Sequence, residues 1–197
     1  MTSEKGVLVI VSAPSGCGKS TIVHQLMEQR DKLRFSVSAT TRAPRTGEVD
    51  GVDYYFVTRE RFMEMVEEDA FLEHAEYVGN CYGTPEAAVD AQLQEGFDVY
   101  LDIEVQGAMQ VKAKRPEALL VFVTPPSLEE LERRLRHRGT DSDETIRSRL
   151  KVAEYELSFR NRFDYVVVND EVDRAVEEIA GLIDAHRKAI NQKFDEK

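Results

Sequence analysis

Between an apolar run, Val7 to Val11, and a segment with helical spacing, Thr21 to Arg30, lie Ala13, Pro14, Ser15, Gly16, Cys17, Gly18, Lys19 and Ser20. Strand, tight Gly-rich turn and helix are the setting in which a phosphate-binding loop works. Gly16 and Gly18 allow backbone N–H groups to curl into a concave nest, and the helix that follows turns its positive end toward the bound anion. Lys19 is then placed for the β- and γ-phosphates of a nucleoside triphosphate, and the Ser20 hydroxyl for the octahedral Mg²⁺ that bridges them. The pattern G-x-x-x-x-G-K-[ST] has glycine where this chain has Ala13, which fits if residue 13 keeps a negative φ.

A loop of this kind needs a parallel sheet behind it, and the chain supplies candidate strands. Val99 to Leu101, Leu119 to Val123 and Tyr165 to Val168 are short apolar runs without alternation, the pattern of parallel strands buried on both faces. Helical patterns separate them at Glu104 to Lys114, Ser127 to Arg138 and Asp173 to about Lys188. Strand alternating with helix implies right-handed crossovers and an α/β sheet with helices on both sides. The 197 residues suffice for one sizeable core and are too few for two full domains.

Two stretches interrupt the alternation. The first, about 35–90, carries short strands at Phe35 to Thr41, Tyr54 to Val57 and Phe71 to Tyr77, with two helices, the second starting at Thr84 as N-cap with Pro85 in its first position. The second, about 126–163, is rich in arginine: Arg133, Arg134, Arg136, Arg138, Arg147 and Arg149. Ser127 with Glu130 forms a capping box there, Gly139 stops the first helix, and Asp141 with Glu144 caps the next. An arginine-rich helical hairpin between two sheet strands is either a mobile lid over phosphates or a solvated charged helix pair.

A formal charge of -11 argues against a nucleic-acid binder, so a chain that handles anionic nucleotides must gather its arginines locally. In Ser36 to Glu48, Arg42 and Arg45 stand three apart around Pro44, a stiff pair of guanidinium forks suited to phosphate oxygens, to which Tyr54 and Tyr82 add phenolic donors. No apolar run reaches the roughly 18 residues of a membrane span, and two cysteines without an apolar leader fit a reduced, cytoplasmic protein. Cys17, in the loop at a helix N-terminus, is a candidate for a lowered pKa and for oxidation, a regulatory option that catalysis does not require. His74 has no second histidine or cysteine at metal-ligand spacing. The oligomeric state is not legible.

Taken in order, Ala13 to Ser20, Ser38 to Glu48, Phe71-Leu-Glu-His-Ala-Glu76, Gly79-Asn-Cys-Tyr-Gly83, Leu101-Asp-Ile-Glu-Val-Gln-Gly107, Pro125-Pro-Ser127, Arg138-Gly139 and Val168-Asn-Asp170 resemble the motifs of guanylate kinases, from about Val7 to about Ala185. The resemblance implies a parallel-sheet P-loop kinase core (about 1–34, 91–125 and 164–190) with a GMP-binding insertion (35–90) and a helical lid (126–163), within one domain. It implies Mg²⁺-dependent transfer from ATP to GMP, with dGMP as a further acceptor, giving GDP and ADP in purine nucleotide metabolism.

Carried onto matching positions, the resemblance implies a GMP site of Ser38, Arg42, Arg45, Tyr54, Glu73, Tyr82, Thr84, Asp102 and Glu104. Arginines and tyrosines hold the phosphate; Glu73, Glu104 and the hydroxyls of Ser38 and Thr84 read guanine. Thr84 and Glu104 stand where the family often has serine and aspartate. Guanine offers N1–H and N2–H₂ as donors beside an O6 acceptor, and adenine reverses this, so specificity falls mainly on Glu73. Lys19, Arg138 and Arg149 are the implied catalytic cations, with Arg134 a further lid candidate, and Asn169 lies near the adenine of ATP. Asp102 either orders Mg²⁺ through water, together with Ser20, or is a structural partner of Ser20 or an arginine. Two rival readings are another small P-loop kinase and a guanylate-kinase-like module that binds phosphopeptides without catalysis.

Overall fold

In the computed structural model, which describes residues 4–137, 139 and 141–195, the apolar run becomes strand β1, Leu8–Ser12, buried along its whole length. It lies at the centre of a five-stranded parallel sheet of order β2-β7-β1-β8-β9, with β2 at Leu33–Phe35, β7 at Asp98–Leu101, β8 at Leu119–Thr124 and β9 at Tyr165–Val168. Ile10 is in register with Leu101 on one side and Leu120 on the other. Successive side chains of β1 serve opposite layers, as strand geometry requires. Val9 and Val11 pack with Ile22 and Leu26 of α1 (Lys19–Gln29) and with Val176 and Ile179 of α7 (Val172–Asp195). Leu8 and Ile10 pack with Val89 of α3 (Glu86–Gln94) and with Val105, Ala108 and Val111 of α4 (Val105–Lys114).

β9 departs from its expected burial on both faces. Tyr165, Val166 and Val168 are exposed and only Val167 is buried, because β9 is the edge strand and the helical layers do not extend past it. The expected strand Phe35 to Thr41 is two strands in two sheets. Leu33–Phe35 joins the parallel sheet beside β7, whereas β3 (Ala39–Thr40) opens a second sheet of order β4-β3-β6-β5. Its other members are β4 (Tyr55–Phe56), β5 (Phe71–Tyr77) and β6 (Asn80–Pro85), and α2 (Arg59–Glu67) packs Phe62 onto Phe71. The β5–β6 hairpin turns through Val78 and Gly79, both with positive φ. Thr84 is not an N-cap: it ends inside β6, α3 starts at Glu86, and no side chain caps it.

The arginine-rich segment is a helical hairpin, α5 (Leu128–His137) and α6 (Asp143–Leu157), closed by Leu131, Leu135, Ile146 and Ala153. Ser127 Oγ accepts from the Glu130 N–H at 3.1 Å, but the Glu130 carboxylate grips Arg133 and Arg134. Gly139, at φ +65°, ends α5 as expected. Asp141 and Glu144 do not cap α6. Ser142 does, accepting from the Thr145 N–H, while Asp141 pairs with Arg149 at 3.2 Å.

One ion network ties the layers together below the sheet. Asp98, fully buried at the start of β7, accepts from the Val7 N–H at 2.9 Å and from Arg187 of α7 at 2.5 Å. Arg30, at the end of α1, lies 3.5 Å from its other oxygen and pairs with Asp184 at 2.6 Å.

Candidate active site

The Gly-rich loop emerges from the C-terminal end of β1, at the crevice where ligands of open parallel sheets bind. Gly16 (φ +90°) and Gly18 (φ +91°, the N-cap of α1) adopt left-handed conformations that L side chains avoid. Among the described non-glycine residues only Asp69 and Val78 have positive φ, so Ala13 meets the condition set for it. Space matters as much as φ. A Cβ on Gly16 would lie 2.7 Å from Leu135 of α5, and one on Gly18 would lie 2.6 Å from the Asn169 amide.

Asn169 also braces the phosphate loop. Its side chain is buried and donates to the Cys17 carbonyl at 2.7 Å, while its own carbonyl accepts from Arg134 at 3.0 Å. One residue past β9 thus clamps a loop more than 150 positions earlier and fastens it to α5. Cys17 lies in the same loop. Its thiol points into the sheet core, facing the Val123 carbonyl, and burial pushes it up to about 12, the opposite of a helix-activated thiolate.

Lys19 pairs with Asp102, which also accepts from the Tyr100 hydroxyl at 3.2 Å. Among the described residues the side-chain partners of Asp102 are thus Lys19 and Tyr100. Among the described residues no three His, Cys, Asp or Glu are grouped to hold a metal ion, and Ser20 and Asp102 contribute oxygen donors at the loop.

Ser38, Tyr54, Glu73, Tyr82, Asp102 and Glu104, scattered over the second sheet, the residues leading into it and the β7–α4 turn, line one cavity of about 300 Å³. Glu73, on β5, is 7% exposed and Thr84, on β6, 1%. The Thr84 hydroxyl donates to Glu73 Oε1 at 2.7 Å, so its proton addresses Glu73. Burial raises the Glu73 carboxyl above the ordinary carboxylate range, and the Thr84 hydrogen bonds oppose that rise. Tyr54 and Tyr82 meet edge to face with centroids 6.2 Å apart.

Arg42 and Arg45 do not line this cavity. Arg42 makes a two-pronged contact with Glu48 at 2.8 and 2.9 Å beside the Tyr54 ring, and the Arg45 N–H donates to the same carboxylate at 2.7 Å. These bonds, Arg42's foremost, hold the Glu48 carboxyl below its usual range. Arg149 pairs with Asp141, and Arg138 lies outside the described residues.

Sequence reasoning passed over Glu48, Tyr100, Gly107 and Glu156. Glu156, on α6, reaches the phosphate loop. Burial raises its carboxyl, a hydrogen bond from the Ser15 backbone opposes the rise, Glu104 adds to it and Lys19 opposes it. Its Oε2 is buried without a hydrogen-bond partner. The available signal was spacing: Ala153 is a core residue of the hairpin, and Glu156 follows one turn later on the same face.

A lysine-bearing phosphate loop at the mouth of a parallel sheet, a side cavity around a buried carboxylate and a helical hairpin against the loop define a P-loop kinase fold. Comparison with known proteins narrows the class. The chain belongs to the guanylate kinase family, whose model, described as "Guanylate kinase", matches residues 5–186, and it is thereby a phosphotransferase. It is 47% identical over 193 residues to the guanylate kinase of Desulfitobacterium hafniense (strain Y51), covering 98% of this chain and 96% of the relative. The guanylate kinase of Lactococcus lactis subsp. lactis (strain IL1403) is 51% identical over 192 residues, covering 98% and 94%. The crystal structure of guanylate kinase from Anaplasma phagocytophilum superposes with a TM-score of 0.69 at 35% identity, covering 93% of this chain and 87% of that one.

Proposed function

We propose that the protein transfers the γ-phosphoryl group of ATP to GMP, giving ADP and GDP, with Mg²⁺ as the metal and dGMP as a further acceptor, as a cytoplasmic enzyme of purine nucleotide metabolism. The observation that carries the reading is Glu73, a buried carboxylate lining the side cavity with Oε1 taken by Thr84. It suits a base that presents N1–H and N2–H₂ together; an adenine ring would set a lone pair against it and leave buried groups unpaired. In this reading 35–90 is the acceptor-binding insertion, 126–163 the lid and the remainder the core. The residues assigned to the acceptor address its base and phosphate, so a 2′-hydroxyl is not required.

The chemistry asks for positioning and charge neutralisation, since a nucleotide phosphate is already an anionic nucleophile. ATP phosphates compete with Asp102 for Lys19 and, once bound, leave the Asp102 carboxylate and the Ser20 hydroxyl as oxygen donors. Both are hard oxygen donors that fit Mg²⁺, which when bound would draw negative charge from the phosphate oxygens. Arg42 and Arg45 reach the GMP phosphate once Glu48 gives up part of its hold, and Tyr54 and Tyr82 add phenolic donors. Arg138, Arg149 and Arg134 are the hairpin's candidates for the transferring group, and closure of the hairpin excludes water. The two cysteines are free and buried, which suits a reducing compartment.

The test is ADP formation from ATP and Mg²⁺ with GMP, AMP, CMP and UMP offered separately, for the native protein and Glu73→Gln. Turnover with GMP alone, strongly weakened in the variant, is expected. Turnover with another acceptor, or an unaffected variant, would overturn the assignment.

A further inference from the structure

Gly107 stands inside the first turn of α4, where glycine is a poor choice for a helix, and the phosphate-transfer reading gives it no task. Geometry supplies one. An ideal Cβ on residue 107 would lie 3.0 Å from Glu73 Oε2 and 3.5 Å from its Cδ. On the other side of the same carboxylate, Thr84 donates to Oε1 at 2.7 Å. The carboxylate is therefore held between a hydroxyl and a bare patch of helix.

The helix is not free to retreat. Gln110 bonds the His74 backbone in both directions, at 3.2 and 3.3 Å, and Lys114 Nζ donates to the Phe71 carbonyl at 2.6 Å, so α4 is zipped to β5 on both sides of Glu73. A side chain at 107 must then be accommodated by the most yielding atoms present, the end of Glu73, which would move by a few tenths of an ångström. The fold would survive; the aim of the carboxylate would not.

We infer that Gly107 is a positioning residue for acceptor specificity: its missing side chain sets where the Glu73 carboxylate lies and hence how well the protein recognises the purine 2-amino group. This rests on the reading of the cavity as the guanine site. A carboxylate that spans N1–H and N2–H₂ needs both distances correct at once, and IMP, which lacks the 2-amino group, reports on the second bond alone.

The experiment measures kcat/KM for GMP and for IMP, with ATP and Mg²⁺, in the native protein, Gly107→Ala, Glu73→Gln and the double variant. Gly107→Ala is expected to lower the GMP:IMP ratio by about tenfold or more, mainly through KM for the acceptor, with KM for ATP unchanged and the thermal midpoint not lowered. In the Glu73→Gln background the same replacement is expected to change the ratio by less than about twofold. The inference is overturned if Gly107→Ala keeps the native ratio, if both acceptors suffer equally, or if the effect is the same in both backgrounds. A variant that does not fold also overturns it, since the strain would then not be absorbed by Glu73. A native protein without preference for GMP over IMP, or a Glu73→Gln variant that keeps it, overturns the guanine reading itself, and this is seen without any change at Gly107.

Discussion

Thr84→Val separates two ways in which a hydroxyl can serve the acceptor site. The substitution keeps the shape and removes the proton that Thr84 donates to Glu73 Oε1 at 2.7 Å, in a place where Thr84 is 1% and Glu73 7% exposed. Water does not replace the bond there, so ionised Glu73 loses the net worth of a hydrogen bond to a charged group, about 1.5–3 kcal/mol. The protonated acid loses much less. Ionisation becomes harder by most of that amount, and the acid limb of kcat/KM for GMP, which reports on the free enzyme, moves to higher pH. In the native protein that limb is expected at a higher pH than an ordinary glutamate would give, because burial raises the Glu73 carboxyl. On the acid side the variant is expected to be about tenfold to a hundredfold less active than the native protein, the rate equivalent of that free energy, and to recover in alkali. Profiles recorded from about pH 5 to pH 9 decide the matter. Superimposable limbs refute the argument, and a loss equal at every pH refutes it differently, by showing that Thr84 acts on the base without Glu73 as intermediary.

Asp98→Ala leaves Arg187, Arg30 and the Val7 N–H without their buried acceptor. Chemical denaturation is expected to show a loss of about 3–5 kcal/mol with KM for GMP unchanged, and a loss of under about 1 kcal/mol would contradict the network's importance. Cys17 should resist a maleimide in the native state and react once unfolded, because its buried thiol is pushed up to about 12; labelling at the rate of a free thiol would disprove the burial argument. Burial raises the Glu73 carboxyl in the folded chain relative to the unfolded one, so folding binds a proton more tightly and stability falls as pH rises through the unfolded and then the folded value. Glu73→Gln removes that effect: thermal melts should show its gain over the native protein at neutral pH and a smaller gain on acidification.

What could be read beforehand was what neighbouring residues encode. The loop from Ala13 to Ser20 announces itself because the strand before it, the glycines within it and the helix after it are contiguous. The buried runs in β7 and β8 were legible for the same reason, being apolar on both faces of a central strand. β9 carries an equally apolar run, and its exposure depends on its place at the edge, which no local pattern states. The break between β2 and β3 is hidden in a continuous stretch, because which sheet a residue joins is decided by partners in β7 and β6 far along the chain. Thr84 looked like a helix cap by its neighbour Pro85, yet Glu73, eleven residues earlier, claims its hydroxyl. Asn169 is similar: its amide serves a carbonyl of the phosphate loop that only the folded sheet brings near. Resemblance supplied the names of the cavity residues, and the geometry added Glu48, Gly107 and Glu156, whose roles lie in what they touch.

The order of the sheet also bears on how the chain is made. β1 precedes the other strands and lies between β7 and β8, so it stays without a neighbour until residue 101 has emerged and without its second until residue 124. Its neighbour's Asp98 then waits for Arg187, 89 residues further on, and the loop that follows β1 waits for Asn169. Pairings so distant in sequence are slow to close. The phosphate loop, complete in sequence at Ser20, is thus among the last parts of the molecule to acquire its shape, and a nascent chain halted before β9 would carry the motif without the clamp. Nucleotide binding by arrested chains of increasing length would mark the moment at which the motif becomes a site.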